Sequence, residues 1–540
     1  MRLISDRLLG YDARPLRPPP PKDAMSAADQ LPSPFAHLVD LASDVTGGFA
    51  LYATDDYFAE KENLLRPTAA VWITDKYTDK GKWMDGWESQ RRRTPGHDWC
   101  VIRLGLPGSV HGVVVDTTHF KGNAPQQVAL EILDADPLLP LDAVLFHNDW
   151  KVALPRTPVK PDFANVLPFD QPTQRATYVK LRIYPDGGVA RLRVAGMVQP
   201  EPWTFWRSGT LDLVAIENGG REVAVSDQFF GPPSNLTLPG RGANMGDGWE
   251  TKRRRTKGSD WCVLQLGRRG LIDRIELDTH FFKGNAPQAV RILAVDASEC
   301  SDGDLQALYQ SDNGWSPLVD YHPLVQHRRH QLDPIDARAA THVRVHIYPH
   351  GGVNRLRLYG KALPTAAENV ALHTLNALAH DHLQQLLLSF CGSPTFAQQI
   401  AAQMPFGAVS DLIHGCQQQW FASAEADMLA AFATHPRLGD RKPAAAATVQ
   451  SGVWSEGEQS AVAAAEADVL GQLADANAHY VAKFGFVFLL FATGRTAAQM
   501  LEALQARIDN DRQTEIHNAA REQWKITKLR MIKWLVAQGA

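Results

Sequence analysis

The stretch DGWESQRRRTPGHDWC at residues 85–100 returns as DGWETKRRRTKGSDWC at residues 247–262, with twelve of sixteen positions identical. Downstream, DTTHFKGNAPQ from Asp116 returns as DTHFFKGNAPQ from Asp278, at the same offset of 162 residues. Solenoid repeats run to roughly 20–50 residues, so a period this long marks a duplicated domain. Working outward, ATDDYFAEKENLL (53–65) is echoed by VSDQFFGPPSNLT (225–237), and YPDGGVARLRVAG (184–196) by YPHGGVNRLRLYG (348–360). The offset drifts from 172 to 162 to 164 along the chain. Length therefore changes between the motifs, where loops tolerate it.

The repeats read as strands. In TYVKLRIYP, Val179, Leu181 and Ile183 alternate with Lys180 and Arg182. In VARLRVAG, Leu192 and Val194 alternate with Arg191 and Arg193, and in the second copy Ile275 and Leu277 flank Glu276. Period-two alternation predicts sheets with one wet face. Gly and Pro clusters at short intervals predict two antiparallel sandwiches of jelly-roll type. After Leu363 the pattern becomes helical: Leu372, Leu375 and Leu378, then Leu383, Leu386, Leu387 and Phe390, with Gly392 as a stop. Thr496 caps a helix carrying Met500, Leu501, Leu504 and Ile508, and a last helix begins near Thr514. The expected organisation is an irregular Pro-rich tail (1–30), a first repeat (31–200), a second repeat (201–362), a linker (363–370) and an all-α domain (371–540).

Composition is ordinary for a globular chain: 44% hydrophobic, 21% charged and a net charge of −4. It gives no basic footprint for nucleic acid or an anionic membrane, and the longest apolar run, FGFVFLLFA at 484–492, is too short to span a bilayer. Five cysteines without a CxxC pair point to a reducing, cytoplasmic setting. Cys100 and Cys262, at equivalent positions after Trp, read as small core residues.

The duplicated residues carry chemistry. Arg92 and Arg93, with Arg254 and Arg255, offer planar forks for carboxylate oxygens. Glu88 and Glu250 precede them. Asp116 and Asp278 sit at strand ends, and Lys121–Asn123 and Lys283–Asn285 form KGN turns that permit close backbone approach. His119 is replaced by Phe281 in the second copy, whereas His280 stands where the first has Thr118. Against this, strand arginines are commonly solvated, and Trp87, Trp249, Trp99 and Trp261 read more readily as core than as ligand platforms.

DGWExxRRR, DWC, DTxHFKGN and GGxxRLRxxG, in order and twice, resemble allantoicase over about residues 30–362. That resemblance implies two jelly-roll (galactose-binding-like) sandwiches and hydrolysis of allantoate to (S)-ureidoglycolate and urea. Allantoate needs a cation for its carboxylate, an acid for the leaving nitrogen and a base for water. Glu88, Asp116, His119, Glu250, Asp278 and His280 are the acid–base candidates. Arg92, Arg93, Arg254, Arg255, Lys121, Lys283, Asn123 and Asn285 are the substrate-binding candidates. Which repeat acts is left open, and no metal is demanded.

In the helical part, CGSPTFAQQIAAQMPF, HPRLGD, WSEGEQ, KFGFVFLLFATGR and KITKLR resemble 2-oxo-4-hydroxy-4-carboxy-5-ureidoimidazoline (OHCU) decarboxylase over about 371–540. The family's catalytic histidine falls on His435, its acidic partner on Glu458 beside Gln459, and its substrate-binding arginine on Arg530. Taken alone, Ser455–Glu458 reads as a capping box, and the stripe Gln523, Thr527, Arg530 and Trp534 as one face of a helix. The implied reaction yields (S)-allantoin. No cofactor is expected, because the sequence offers no glycine-rich loop, lysine–aldehyde motif or metal cluster.

The leading reading is a bifunctional enzyme of urate breakdown acting on small molecules. It is expected to self-associate into a homo-oligomer and to depend on a separate allantoinase. The alternatives are a sugar-binding module, which would favour exposed aromatics over arginine runs, and a chain with one active half, the other serving binding or assembly.

Overall fold

Each repeat is organised around one 19-residue strand, Asp98–Asp116 in the first and Asp260–Asp278 in the second. The computed structural model describes residues 31–137, 139, 141–206, 209–436, 467–491 and 497–539. The tail, Ser455, Glu458, Gln459 and Thr496 lie outside the described residues. The opening part of the long strand pairs antiparallel with Arg175–Tyr184 and Phe49–Ala53, and its closing part with Arg191–Val198 and Ala164–Pro168. The segment Gly105–Leu106–Pro107–Gly108 lies between the two parts. The pairing register shifts across this segment, and across Gly267–Gly270 in the second copy, so one long strand serves both layers of the sandwich.

The first sheet runs Val39–Asp40, Arg191–Val198, Asp98–Asp116, Arg175–Tyr184, Gln127–Leu133, Lys151–Pro158. The second runs Leu211–Asp212, Arg355–Ala362, Asp260–Asp278, Ala339–Tyr348, Ala289–Val295, Ser316–Pro323. Alternate residues meet between the layers. Cys100, Ile102, Leu130, Ile132, Val179, Leu181, Ile183, Leu192 and Val194 close around Trp87. Cys262, Leu264, Val290, Ile292, Val345, Ile347, Leu356 and Leu358 close around Trp249. Both indoles are fully buried, and their Nε1–H groups donate to the Asp55 and Asp227 carbonyls at 2.8 and 2.9 Å. Trp99 and Trp261 are only half-buried. They roof the outer face, where Arg344 stacks 3.8 Å from the Trp261 ring centre.

The expected wet face is largely dry. Lys180 is buried beneath Trp150, 4.0 Å from its ring centre, because the helix Leu141–Leu145 and its flanks cover that side of the sheet. Arg191 is also buried. Its guanidinium donates to Asp85 at 2.7 Å and to the carbonyls of Thr68 and Asp85. Burial of these cations is tolerated because each finds a carboxylate or carbonyl partner.

The C-terminal part is helical as expected. The segment 363–370 becomes helical from Ala366, since Thr365 and Glu368 form a capping box for Ala366–Asn376. His380–Cys391 ends at Gly392 in the left-handed conformation, φ 84°. Pro394–Ala401, Val409–Phe421, Glu425–Phe432, Ala467–Phe484, Ala497–Arg507 and Arg512–Gly539 complete the described helices. The last starts slightly before Thr514, because the Asp511 carboxylate accepts the Thr514 N–H and hydroxyl. Among the described residues no helix is long and apolar enough to cross a membrane.

The segment that follows the first repeat joins this helical core rather than the sandwiches. Trp206 is 6% exposed within the helical cluster, and its Nε1–H donates to Glu368 at 2.5 Å. Glu368 also pairs with Arg268 of the second repeat, whose guanidinium lies over Phe205.

Candidate functional site

At one end of each sandwich a short strand, Trp87–Glu88 or Trp249–Glu250, brings its glutamate against the KGN turn. Asn123 donates to Glu88 at 2.7 Å, and Asn285 to Glu250 at 2.6 Å. Burial pushes both carboxyls up from the ordinary glutamate range, with the asparagine bond opposing. The end of the long strand adds an aspartate whose carboxylate ties down the next turn. Asp116 accepts the N–H and hydroxyl of Thr118 at 2.9 and 2.5 Å, and Asp278 accepts the His280 N–H at 2.8 Å. Glutamate, asparagine and aspartate are thus positioned alike in both copies.

Beyond that frame the copies diverge. In the second, the His280 ring stacks on His327 at 4.0 Å between centres, with Arg241 3.7 Å from Asp278 and 3.5 Å from the His280 Nδ1. Asn354 ties His280 to the Asn244 loop, and Met245 of that loop touches Asn285, so the histidines and Glu250 share one loop cluster. His327 is held below the ordinary histidine range by desolvation first and by His280 and Lys283 next. In the first copy, Thr118 stands at the place of His280 and Asp162 at that of His327, the Asp162 carboxylate accepting the His119 N–H at 2.8 Å. His119 Nε2 lies 3.3 Å from the Ala70 carbonyl, and its ring faces Trp72 at 5.8 Å. Trp72 belongs to the segment between Leu65 and Asp85, which is ten residues longer than its counterpart in the second repeat. It carries the hairpin Tyr77–Thr78 and Gly81–Lys82.

The arginine triplets have a different place. Arg92 donates to Asp98 at 2.7 Å, and its backbone N–H donates to Asp186; Arg254 donates to Asp260 at 2.6 Å. These middle arginines pin the loop to the start of the long strand. Arg93, Arg255, Lys121 and Lys283 are exposed, and Lys121 lies 3.7 Å from Asp162. Sequence reasoning missed Arg241, His327 and Trp72. His327 sits in QHRRHQL, opposite PDFANVL of the first copy, and comparing the copies there would have flagged it.

In the helical part, the stripe on the last helix faces inward. Gln523, Thr527 and Arg530 are buried, and Gln523 donates to the Cys391 carbonyl at 3.2 Å and to Thr527 at 3.1 Å. Arg530 reaches the Ser389 and Phe390 carbonyls at 3.4 and 3.5 Å, at the C-terminal end of His380–Cys391, where the helix dipole favours a cation. His435 is also buried, just past the helix Glu425–Phe432. Burial, then Arg530, depress it to about 3, and its Nε2 has no hydrogen-bond partner among the described residues. A neutral imidazole beside a buried guanidinium can exchange a proton with an anion held by the arginine. Among the described residues no three His, Cys, Asp or Glu side chains gather as a metal site.

Duplicated acid–amide clusters on jelly rolls, joined to a helical domain with a buried His–Gln–Arg site, define a chain with two separate enzyme centres. The allantoicase repeat model matches residues 39–199 and 211–363, and the OHCU decarboxylase model matches residues 376–532. The allantoicase of Dictyostelium discoideum is 43% identical over 333 residues, 61% of this chain and 88% of its own. The crystal structure of Saccharomyces cerevisiae allantoicase is 33% identical with a TM-score of 0.51, covering 60% of this chain and 92% of that one. A crystal structure of OHCU decarboxylase in the presence of (S)-allantoin is 37% identical, covering 28% of this chain and 96% of that one, with a TM-score of 0.24. The chain belongs to the allantoicase family, with an OHCU decarboxylase domain fused behind its two repeats, and is a bifunctional enzyme of urate catabolism.

Proposed function

We propose that the second repeat's loop cluster hydrolyses allantoate to (S)-ureidoglycolate and urea, and that His435 and Arg530 centre the decarboxylation of OHCU to (S)-allantoin. The observation that supports the hydrolytic assignment is the stack of His280 on His327 beside Arg241 and Asp278, at places where the first repeat has Thr118 and Asp162. Glu250, whose carboxyl burial lifts above the ordinary glutamate range, is the proton donor to the departing urea nitrogen. His280 and His327 take the proton of the attacking water, and Asp278 orients the turn that carries His280. Arg241 and Lys283 hold the allantoate carboxylate. Glu88, Asn123 and Asp116 keep the same frame in the first repeat, where His119 instead faces Trp72 and neither histidine of the second copy has a counterpart.

In the helical domain Arg530 holds the substrate's anionic oxygen, and the Glu458–Gln459 pair binds the ureido N–H groups. His435, neutral, assists loss of carbon dioxide and delivers the proton to one face. The substrate's own carbonyl and imine absorb the electron pair. This reading carries with it a cytoplasmic setting, self-association and a separate allantoinase, since allantoin must be ring-opened before the repeats can act.

Urea release from allantoate by the purified full chain tests the hydrolytic half. Glu250→Gln is expected to lower kcat about 10²–10³-fold, in the range of a lost general acid, and Glu88→Gln less than about tenfold. The reverse ranking would overturn the assignment to the second repeat, and no urea from folded wild-type protein would overturn the hydrolytic function itself.

A further inference from the structure

The outer face of the first repeat's sheet holds a groove that neither reaction uses. Ala129, Glu131, Val152, Pro155, Arg156, Arg182 and Tyr184 line a cavity of about 360 Å³. None of them belongs to the Glu88–Asn123 or Asp116–Thr118 pairs. Arg182 donates to Glu131 at 2.9 Å and to His97 at 2.8 Å, while its Nε is buried with no acceptor among the described residues. Arg156 lies over the Tyr184 ring at 4.0 Å and has no carboxylate within ion-pair distance among the described residues. Lys180 also leans on Glu131, at 3.3 Å. One carboxylate therefore faces three cations, and His97 adds no balancing charge. Positive charge in a half-enclosed cleft attracts an anion.

The second repeat supplies an internal control. Its strands keep the same register, so Arg291 stands where the first repeat has Ala129, and Tyr321 where it has Arg156. Arg291 reaches Asp320 at 3.7 Å, and Tyr321 packs on Tyr348 at 5.3 Å between ring centres. The second repeat thus sets a larger side chain with a carboxylate beside it where the first has Ala129, and an uncharged aromatic where the first has Arg156.

We propose that this groove is a binding site, distinct from both catalytic centres, for a small dicarboxylate. The two guanidinium groups of Arg156 and Arg182 take its carboxylates, and Ala129, Val152 and Pro155 take its short apolar body. Paired guanidinium forks match carboxylate geometry, and the apolar wall separates such a ligand from inorganic anions.

Calorimetric titration of the full chain with succinate tests this, with succinamide and inorganic phosphate as comparisons. Saturable succinate binding at millimolar concentration or tighter is expected, with succinamide and phosphate at least about tenfold weaker. Arg156→Ala, an exposed position that does not endanger folding, and Ala129→Arg, which introduces the second repeat's residue, should each weaken succinate at least about tenfold. Both variants should release urea from allantoate at the wild-type rate. Absence of succinate binding, equal binding of phosphate, or binding that both variants leave intact would overturn the proposal.

Discussion

At the scale of single residues, burial sets the charge state of the groups that matter, and each shift has a readable sign. His435 is depressed to about 3 by burial and by Arg530, so it is neutral throughout the physiological range. The pH profile of kcat for decarboxylation should then show no His435 inflection between pH 6 and 7. An inflection there that disappears in His435→Gln would contradict this. Glu222 moves the other way. It sits on the strand Arg221–Val225 with one hydrogen bond, from the Ser234 N–H at 3.0 Å, and burial lifts it to about 7 from an ordinary 4.5. A carboxyl raised in the folded state binds more protons there than in the unfolded chain. Its stabilising contribution is complete below about pH 4.5 and is lost as pH rises through about 7. Glu222→Gln should therefore raise the melting temperature above pH 7, by on the order of 1–3 kcal/mol of stability, and change little near pH 5. Melting curves of both proteins across that range check the sign; an equal offset at both ends would contradict it.

At the scale of elements, the chain stops and starts where its small residues dictate. Gly392 ends His380–Cys391 with φ 84°, and a Cβ there would meet the Thr434 hydroxyl oxygen at 2.4 Å. Thr434 is the residue before His435, the proposed catalytic histidine, so the helix stop abuts the segment that positions it. Gly392→Ala should cost about 1–2 kcal/mol in backbone strain alone. By pushing Thr434 away it should also lower decarboxylation about tenfold or more, while urea release is unchanged. Equal loss of both activities would instead indicate general unfolding. The glycine stop and the strand alternation were legible in the sequence because they depend on local backbone and a two-residue period. The buried state of Lys180 and Arg191 was not. Alternation marks which residues share a face, but a second cover, supplied here by Leu141–Leu145 and Trp150 over Lys180, is a tertiary fact. The proposed catalytic frame was legible residue by residue, since Glu88, Asn123, Glu250 and Asn285 all fell within repeated motifs. Their pairing was not, because each pair closes a separation of 35 residues through the fold. The stacking of His280 on His327 escaped for a related reason: the repeat comparison draws the eye to identities, and the two copies differ at both positions.

At the scale of the whole molecule, the two enzymes sit in one chain without a shared intermediate. On the proposed reading a separate allantoinase opens the ring of the decarboxylase product before the repeats accept it, so a direct hand-over between the two halves is not expected. Matched amounts of the two activities are what a single chain provides. The fusion is nevertheless more than a tether. Residues 200–210 lie between the two stretches matched as allantoicase repeats. Within them, Trp206 belongs to the helical core and donates to Glu368, which also closes the cap of Ala366–Asn376 and pairs with Arg268. The helix Ala366–Asn376 is thereby anchored from the inter-repeat segment and from the second repeat, and it packs along the last helix, which carries Arg530. Removing a buried indole costs about 3–5 kcal/mol at the site where it packs. Trp206→Ala should then lower the temperature at which decarboxylase activity is lost by several degrees. Hydrogen exchange should speed up in residues 366–376, and urea release should survive to the wild-type temperature. If the two activities instead fail together at an unchanged temperature, the inter-repeat segment is a passive connector, and the helical domain holds its active form without help from the repeats.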